Sequence, residues 1–350
     1  MNDQVSRGKT IKQCLIFAAF FAAVLFFMLR GQNVGQIFQT IRGAKREYIL
    51  PALVCALVFP LTEGINIRSV LGTFGYRTTF LEGFKYSLNG FFFSSVSPGA
   101  VLGQPMQLYV MKGDDISISH GALALLMELT SFQISTFLFE IGAVIALPFS
   151  SLEIQGYMRV LAVIGFLLNF CYISFLLIVM FSKRMGEGIF RLAFRIIHKL
   201  PFISEAKEQS WKKSCDEGLD RFHAGAFMIR KHRAVMARVL AFSILQTLCW
   251  FSIPYLVYLA LGQSGAGFSQ LLLLQILTYM MTALLPLPGA MGIGELVFLN
   301  LFLSVYARDL IRPATLISRG ISFYFLLLLS GILILLFQFT KLRKNGDPVE

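Results

Sequence analysis

The sequence predicts an all-α polytopic membrane protein with six full transmembrane helices and two oppositely oriented re-entrant helical hairpins arranged as an inverted repeat. Three observations predict it. First, 56% of the 350 residues are hydrophobic and only 14% are charged, and the mean hydropathy is +0.70, far from the composition of a soluble domain. Second, windows long enough to span about 30 Å of hydrocarbon fall at 11–29, 49–67, 120–148, 157–181, 236–261 and 315–340. Third, two Pro-Gly-Ala turns, Pro98-Gly99-Ala100 and Pro288-Gly289-Ala290, interrupt apolar stretches in opposite halves of the chain. A break at membrane depth leaves backbone groups unpaired, which hydrocarbon penalises, so it persists where it is buried in protein or lines a wet cavity. Matched breaks in two halves are the strongest sequence pointer to a transporter binding site.

The first window follows Arg7, Lys9 and Lys12 and ends at Arg30-Gly31 without a small-x-small site, so an uncleaved helix is expected rather than a signal peptide. Windows two, three and four bring the chain to a basic stretch, 182–238, with thirteen Lys or Arg against six acids. The positive-inside rule places this stretch in the cytoplasm, with both termini. The uncharged 262–268 suits the outside. Residues 30–48 are external by the same count yet carry Arg30, Arg42, Lys45 and Arg46 against Glu47. Reversing the molecule would expose the larger basic loop, so the orientation stands. The formal charge of +12 is thereby assigned to topology rather than to nucleic acid.

Parity then requires residues 81–111 to enter and leave on the cytoplasmic side, and 269–306 to do so on the opposite side. Each outgoing arm of about 11 residues reaches only ~17 Å. The alternative is a pair of short, complete helices meeting at a Pro kink. The chain divides into an N-terminal transmembrane half (1–181, hairpin 81–111), a basic amphipathic linker (182–235) and a C-terminal half (236–350, hairpin 269–306). Within the linker, 183–200 carries Ile189, Phe190, Ala193, Phe194 and Ile197 on one helical face. This helix should lie on the inner leaflet, where its basic residues either attract anionic lipid or act only as a topology determinant.

Five scattered cysteines and four histidines show neither Cys-x-x-Cys nor Cys/His ligand spacing, so no disulfide framework, zinc site or cofactor is expected. Ionisable residues within spans are few and usually face a bundle interior. They are Glu63 in and Arg68 at the end of the second span, Glu128 and Glu140 in the span at 120–148, Glu295 just after the second break, and Arg319 in the last span. Glu295 and Arg319 form the preferred functional pair. Capping of a helix start by Glu295 and snorkelling by Arg319 are the structural alternatives. The first hairpin is polar but uncharged, Gly103-Gln104-Pro105-Met106-Gln107; its amides can hold a ligand or satisfy the broken backbone. The candidate substrate-binding set is Glu63, Pro98, Gly99, Gly103, Gln104, Gln107, Glu128, Pro288, Gly289, Gly292, Glu295 and Arg319.

The segment Pro286-Leu287-Pro288-Gly289-Ala290-Met291-Gly292-Ile293-Gly294-Glu295 resembles the Pro-x-Pro-Gly-Gly-x-Gly-x-x-Glu signature of the lysylphosphatidylglycerol synthase transmembrane-region, or flippase-like, family, with Ala290 in place of the second Gly. Leu102-Gly103-Gln104-Pro105-Met106-Gln107-Leu108-Tyr109 is similar to the family's Gly-Gly-Glu-Pro-x-Arg-x-Tyr, with Gln104 and Gln107 where the family has an acid and a base. Glu128 is similarly placed to an acid in the following family helix. The resemblance covers nearly the whole chain and implies movement of lipids or lipid-linked headgroups between leaflets of a bacterial cytoplasmic membrane. Replacing both partners of an ion pair leaves no unpaired charge. The chain ends at Glu350 without the synthases' soluble domain, so lysyl transfer is not expected, and no His/Asp metal spacing, nucleophile elbow or clustered carboxylate pair points to an enzyme. The other readings are a proton- or ion-coupled small-solute transporter using Glu63, Glu128 and Glu140, and a non-catalytic partner of a lipid-modifying enzyme. Expected partners are membrane lipids with anionic or lipid-linked headgroups, with a homo-oligomer or a lipid-biosynthesis enzyme as further candidates.

Overall fold

A computed structural model describes residue 39 and residues 42–150, 152, 154, 156–181, 231–283 and 292–344. Every regular element among them is helical: α1 (Arg46–Thr73), α2 (Phe80–Val96), α3 (Gly103–Lys112), α4 (Ile118–Ala146), α5 (Gly156–Phe181), α6 (Arg233–Ala260), α7 (Phe268–Thr282), α8 (Ile293–Phe302), α9 (Ile311–Arg319) and α10 (Phe325–Lys344), with 3₁₀ turns at Pro98–Ala100 and Leu147–Phe149 and a π-helical turn at Gly320–Tyr324. Five helical stretches are long and apolar enough to cross a membrane: Arg46–Thr73, Ile118–Phe149, Gly156–Met180, Arg233–Ala260 and Ile311–Phe337. They coincide with five of the six expected windows. The window at 11–29, the helix at 183–200 and the second tip at Pro288 and Gly289 lie outside the described residues.

The α1–α6 pair forms the most extensive helix contact. Polar side chains pin it: Asn66 Nδ2 donates to Ser243 Oγ at 3.2 Å, and Ser135 Oγ from α4 lies 3.0 Å from the Ser243 carbonyl and 2.9 Å from Thr247 Oγ1. Between apolar helices in lipid, association depends on close packing and on such interhelical hydrogen bonds. The largest apolar cluster joins α4 to α9, with Phe251, Tyr258, Leu274, Leu277, Phe302 and Ala314 at its centre.

Both interrupted segments fold as two short packed helices. The first is α2, the turn at Pro98–Ala100 and α3; the second is α7 and α8, around a tip outside the described residues. The exit arms α3 and α8 have ten residues each, about 15 Å at ~1.5 Å per residue. The base of the first is fastened by Asp114, which pairs with Lys85 and accepts from Tyr86 Oη at 2.9 Å. Its start is a capping box, in which Thr79 Oγ1 accepts from Glu82 N at 3.2 Å and Glu82 Oε2 accepts from Thr79 N at 2.6 Å.

Glycines set two helix crossings. A Cβ on Gly64 of α1 would stand 2.7 Å from the Gly83 carbonyl carbon of α2, and one on Gly83 would stand 2.5 Å from the Gly64 oxygen. A Cβ on Gly103 would collide with the Ser94 side chain, so Gly103 acts in the packing of α3 on α2. At the first tip, Gly99 has φ +61° and Ala100 has φ +57°. A residue with a Cβ is strained in the left-handed region, at a cost of about 1–2 kcal/mol. Ala100→Gly should therefore stabilise the protein by about 0.5–1 kcal/mol, read as a raised thermal midpoint in detergent.

Candidate substrate cavity

A cavity of about 670 Å³ opens between the two hairpins, within the size range of small-molecule sites. The first hairpin contributes Phe91, Ser94, Gly99, Ala100 and Gln104, the second Gln275, Thr278, Thr282, Gly294, Glu295 and Phe298, and the last span Ser318, Arg319, Ser322 and Phe323. Its aromatic wall is built around Phe59, whose ring packs edge-on against Phe132 at 5.7 Å and Trp250 at 5.1 Å. The result is a chamber with an aromatic wall, scattered hydroxyl and amide groups and, among the described residues, one ion pair.

That pair is Glu295 with Arg319, Oε1 to Nε 3.6 Å, their side chains 23% and 21% exposed. Gly292 with φ +81° turns the chain into α8, a conformation that favours glycine, and Glu295 follows in the first helical turn. Its carboxylate pairs with the arginine. Arg319 ends α9, where the helix widens into the π-helical turn Gly320–Tyr324, a local feature common at functional sites. The guanidinium also sits over the Phe323 ring, 5.5 Å from its centroid. The separation of 3.6 Å is an ion pair rather than a charge-assisted hydrogen bond of about 2.7–2.9 Å.

Three other predicted residues gather elsewhere. Glu63 of α1 accepts from Ser87 Oγ of α2 at 2.8 Å and from Gln107 Nε2 of α3 at 2.6 Å. Glu128 of α4 interacts electrostatically with Glu63 and is buried. Three expectations are revised here. Gln104 and Gln107 do not face each other: Gln104 is exposed toward the cavity while Gln107 is buried against Glu63. Their positions differ by three, yet α1 captures one and the cavity the other. Glu128 does not join Glu295 and Arg319 on the cavity wall. Glu63 and Glu128, on different helices, are both buried and close enough to interact electrostatically, a proximity invisible in sequence. Glu140 is separate, held by Asn169 Nδ2 at 2.7 Å and about 18 Å along α4 from Glu128 at ~1.5 Å per residue.

The Glu63 cluster therefore braces the first hairpin against α1 and α4. Substituting Gln107→Leu removes one donor from a buried carboxylate, with an expected loss of about 1–3 kcal/mol. Thermal unfolding of the variant against wild type measures it, and an unchanged midpoint would show that water or a rearranged side chain replaces the amide.

Of the remaining predicted positions, Gly99 lines the cavity, Pro98 opens its 3₁₀ turn, and Gly292 supplies the entry to α8. The aromatic wall, Gln275 and the hydroxyls of Thr278, Thr282, Ser318 and Ser322 were not anticipated. Their only sequence signal is a scatter of polar residues through apolar windows.

No curated protein matches the chain. A family model described as the lysylphosphatidylglycerol synthase TM region matches residues 14–330, which contain both hairpins, the cavity and the Glu63 cluster. The chain is thus a multi-pass membrane protein belonging to the lysylphosphatidylglycerol synthase transmembrane-region family.

Proposed function

We propose that this protein is a non-enzymatic flippase-like transporter that moves a lipid or lipid-linked molecule between the leaflets of a bacterial cytoplasmic membrane. The observation that carries the reading is the Glu295–Arg319 pair, set among aromatic, hydroxyl and amide side chains in a chamber between two interrupted helical segments. Separated charges inside a membrane are costly and mark substrate pathways. The chamber suits a polar headgroup, leaving acyl chains in the bilayer. An anionic group, such as a phosphate, would pair with Arg319, and a cationic group with Glu295. Serine, threonine and glutamine side chains supply hydrogen bonds around them.

In this reading 81–111 and 269–306 are re-entrant hairpins entering from opposite leaflets, the sixth span is 11–29, and the inverted repeat permits alternating access. The match of two ten-residue exit arms, each too short to cross alone, supports it. Reconstitution into liposomes carrying fluorescent lipids of several headgroups tests the activity: accelerated transbilayer exchange supports the reading, and exchange no faster than in protein-free liposomes refutes it.

The ion-coupled small-solute reading retains one favourable observation, the buried Glu63–Glu128 pair. It predicts uptake that depends on a pH or cation gradient in the absence of lipid exchange. Because Glu140 is remote from that pair, a relay through all three carboxylates is not part of it.

A further inference from the structure

A second cavity, of about 800 Å³, lies at the end of α1, the loop to α2 and the start of α6. Three arginines line it: Arg68, Arg77 and Arg238. Among the described residues, no carboxylate is on its wall and none of the three has an ion-pair partner. The nearby Glu82 is committed to the Thr79 cap. We infer that this cavity is a phosphate-binding site, distinct from the chamber at Glu295.

Arginines at helix ends are ordinary topology signals, but that role does not require them to converge. Here they come from three separate segments onto one concave surface. Arg68 is preset, since its Nε donates to the Thr78 carbonyl at 2.8 Å and its terminal nitrogens keep their donors for a ligand. Thr78 is on the same wall, and its buried hydroxyl has no hydrogen-bond partner among the described residues. Planar guanidinium groups grip phosphate oxygens two at a time, which lysine cannot do. Ile65 and Phe242 form an apolar side of the cavity. Because α1 and α6 are both long and apolar enough to cross a membrane, a cavity at their ends would sit near the headgroup region.

The ligand chemistry is a phosphate group, carried by a lipid headgroup or free. Isothermal titration of the purified full chain in zwitterionic detergent, with dihexanoyl phosphatidic acid in one arm and inorganic phosphate in the other, distinguishes the sources. Saturable binding of the lipid alone assigns a headgroup site; binding of both assigns a site for the phosphate itself. In Arg77→Gln/Arg238→Gln the affinity should fall by roughly tenfold or more, since two charge-assisted contacts are lost. In Arg77→Lys/Arg238→Lys, which keeps the charge and removes the fork, the loss should be smaller but measurable. Absence of saturable binding to either probe overturns the inference, as does equal affinity in wild type and the glutamine variant. If the glutamine variant does not fold, equal affinity in the lysine variant overturns it. Binding here is read at equilibrium, independently of whether Glu295 and Arg319 take part in transport.

Discussion

Arg319→Gln should abolish most lipid exchange and also lower stability. The substitution leaves the Glu295 carboxylate in the chamber without its cation. Removing one partner of a fully buried pair costs about 3–5 kcal/mol. Solvent reaches about a fifth of each side chain here, so a loss of about 1–3 kcal/mol is expected after screening. Exchange should fall by at least roughly tenfold, the equivalent of about 1.4 kcal/mol in headgroup interaction. Glu295→Gln/Arg319→Gln separates the two effects. With both charges gone, stability should return close to wild type, because no unpaired charge remains, while exchange stays low. A double variant that regains exchange would assign the pair a purely structural role.

The largest stability effect is expected at the α1–α2 crossing. Gly64→Leu places a branched side chain where even a Cβ stands 2.7 Å from the Gly83 backbone. Backbone atoms cannot rotate away as a side-chain tip can, so the helices must separate. Overpacking of this kind costs about 1–3 kcal/mol when a core can adjust, and the upper end or beyond is expected here. The consequence extends to the polar cluster. Glu63 is the neighbour of Gly64, and Ser87 lies one turn beyond Gly83, so a widened crossing also pulls Ser87 away from Glu63. Size-exclusion profile and thermal midpoint in detergent report the effect, and a midpoint within error of wild type would contradict the tight crossing. Gly165 presents a parallel case, because a Cβ there would meet the Met280 carbonyl of α7.

What the sequence makes legible follows from how far each signal extends along the chain. The spans are local properties of about 20 consecutive residues, and five of them appear where the apolar windows place them. Proline and glycine mark backbone breaks directly, and the first break is visible as a turn with Gly99 and Ala100 at positive φ. Glu295 and Arg319 stand out because charge is rare in such windows, and the structure sets them against each other. Their partnership depends on α8 and α9 packing around a shared cavity.

Relations between distant segments are not legible in this way. Glu63 meets Ser87 across 24 positions and Gln107 across 44, and no periodicity links them. Reading Gln104 and Gln107 as the remnants of one ion pair assumed that residues three apart on a short helix share an environment. The structure gives one a buried carboxylate and the other an open cavity. The π-helical turn after Arg319 and the convergence of Arg68, Arg77 and Arg238 likewise arise from packing among elements. Motif matching finds the break and its glutamate; it does not find the brace that holds the opposite hairpin in place.

If the chamber around Glu295 and Arg319 carries a lipid headgroup between leaflets, transbilayer exchange of fluorescent lipids in liposomes should be fast and headgroup-dependent for wild type and near the protein-free rate for a folded Glu295→Gln/Arg319→Gln variant. Equal rates for wild type and the double variant would remove the pair from transport.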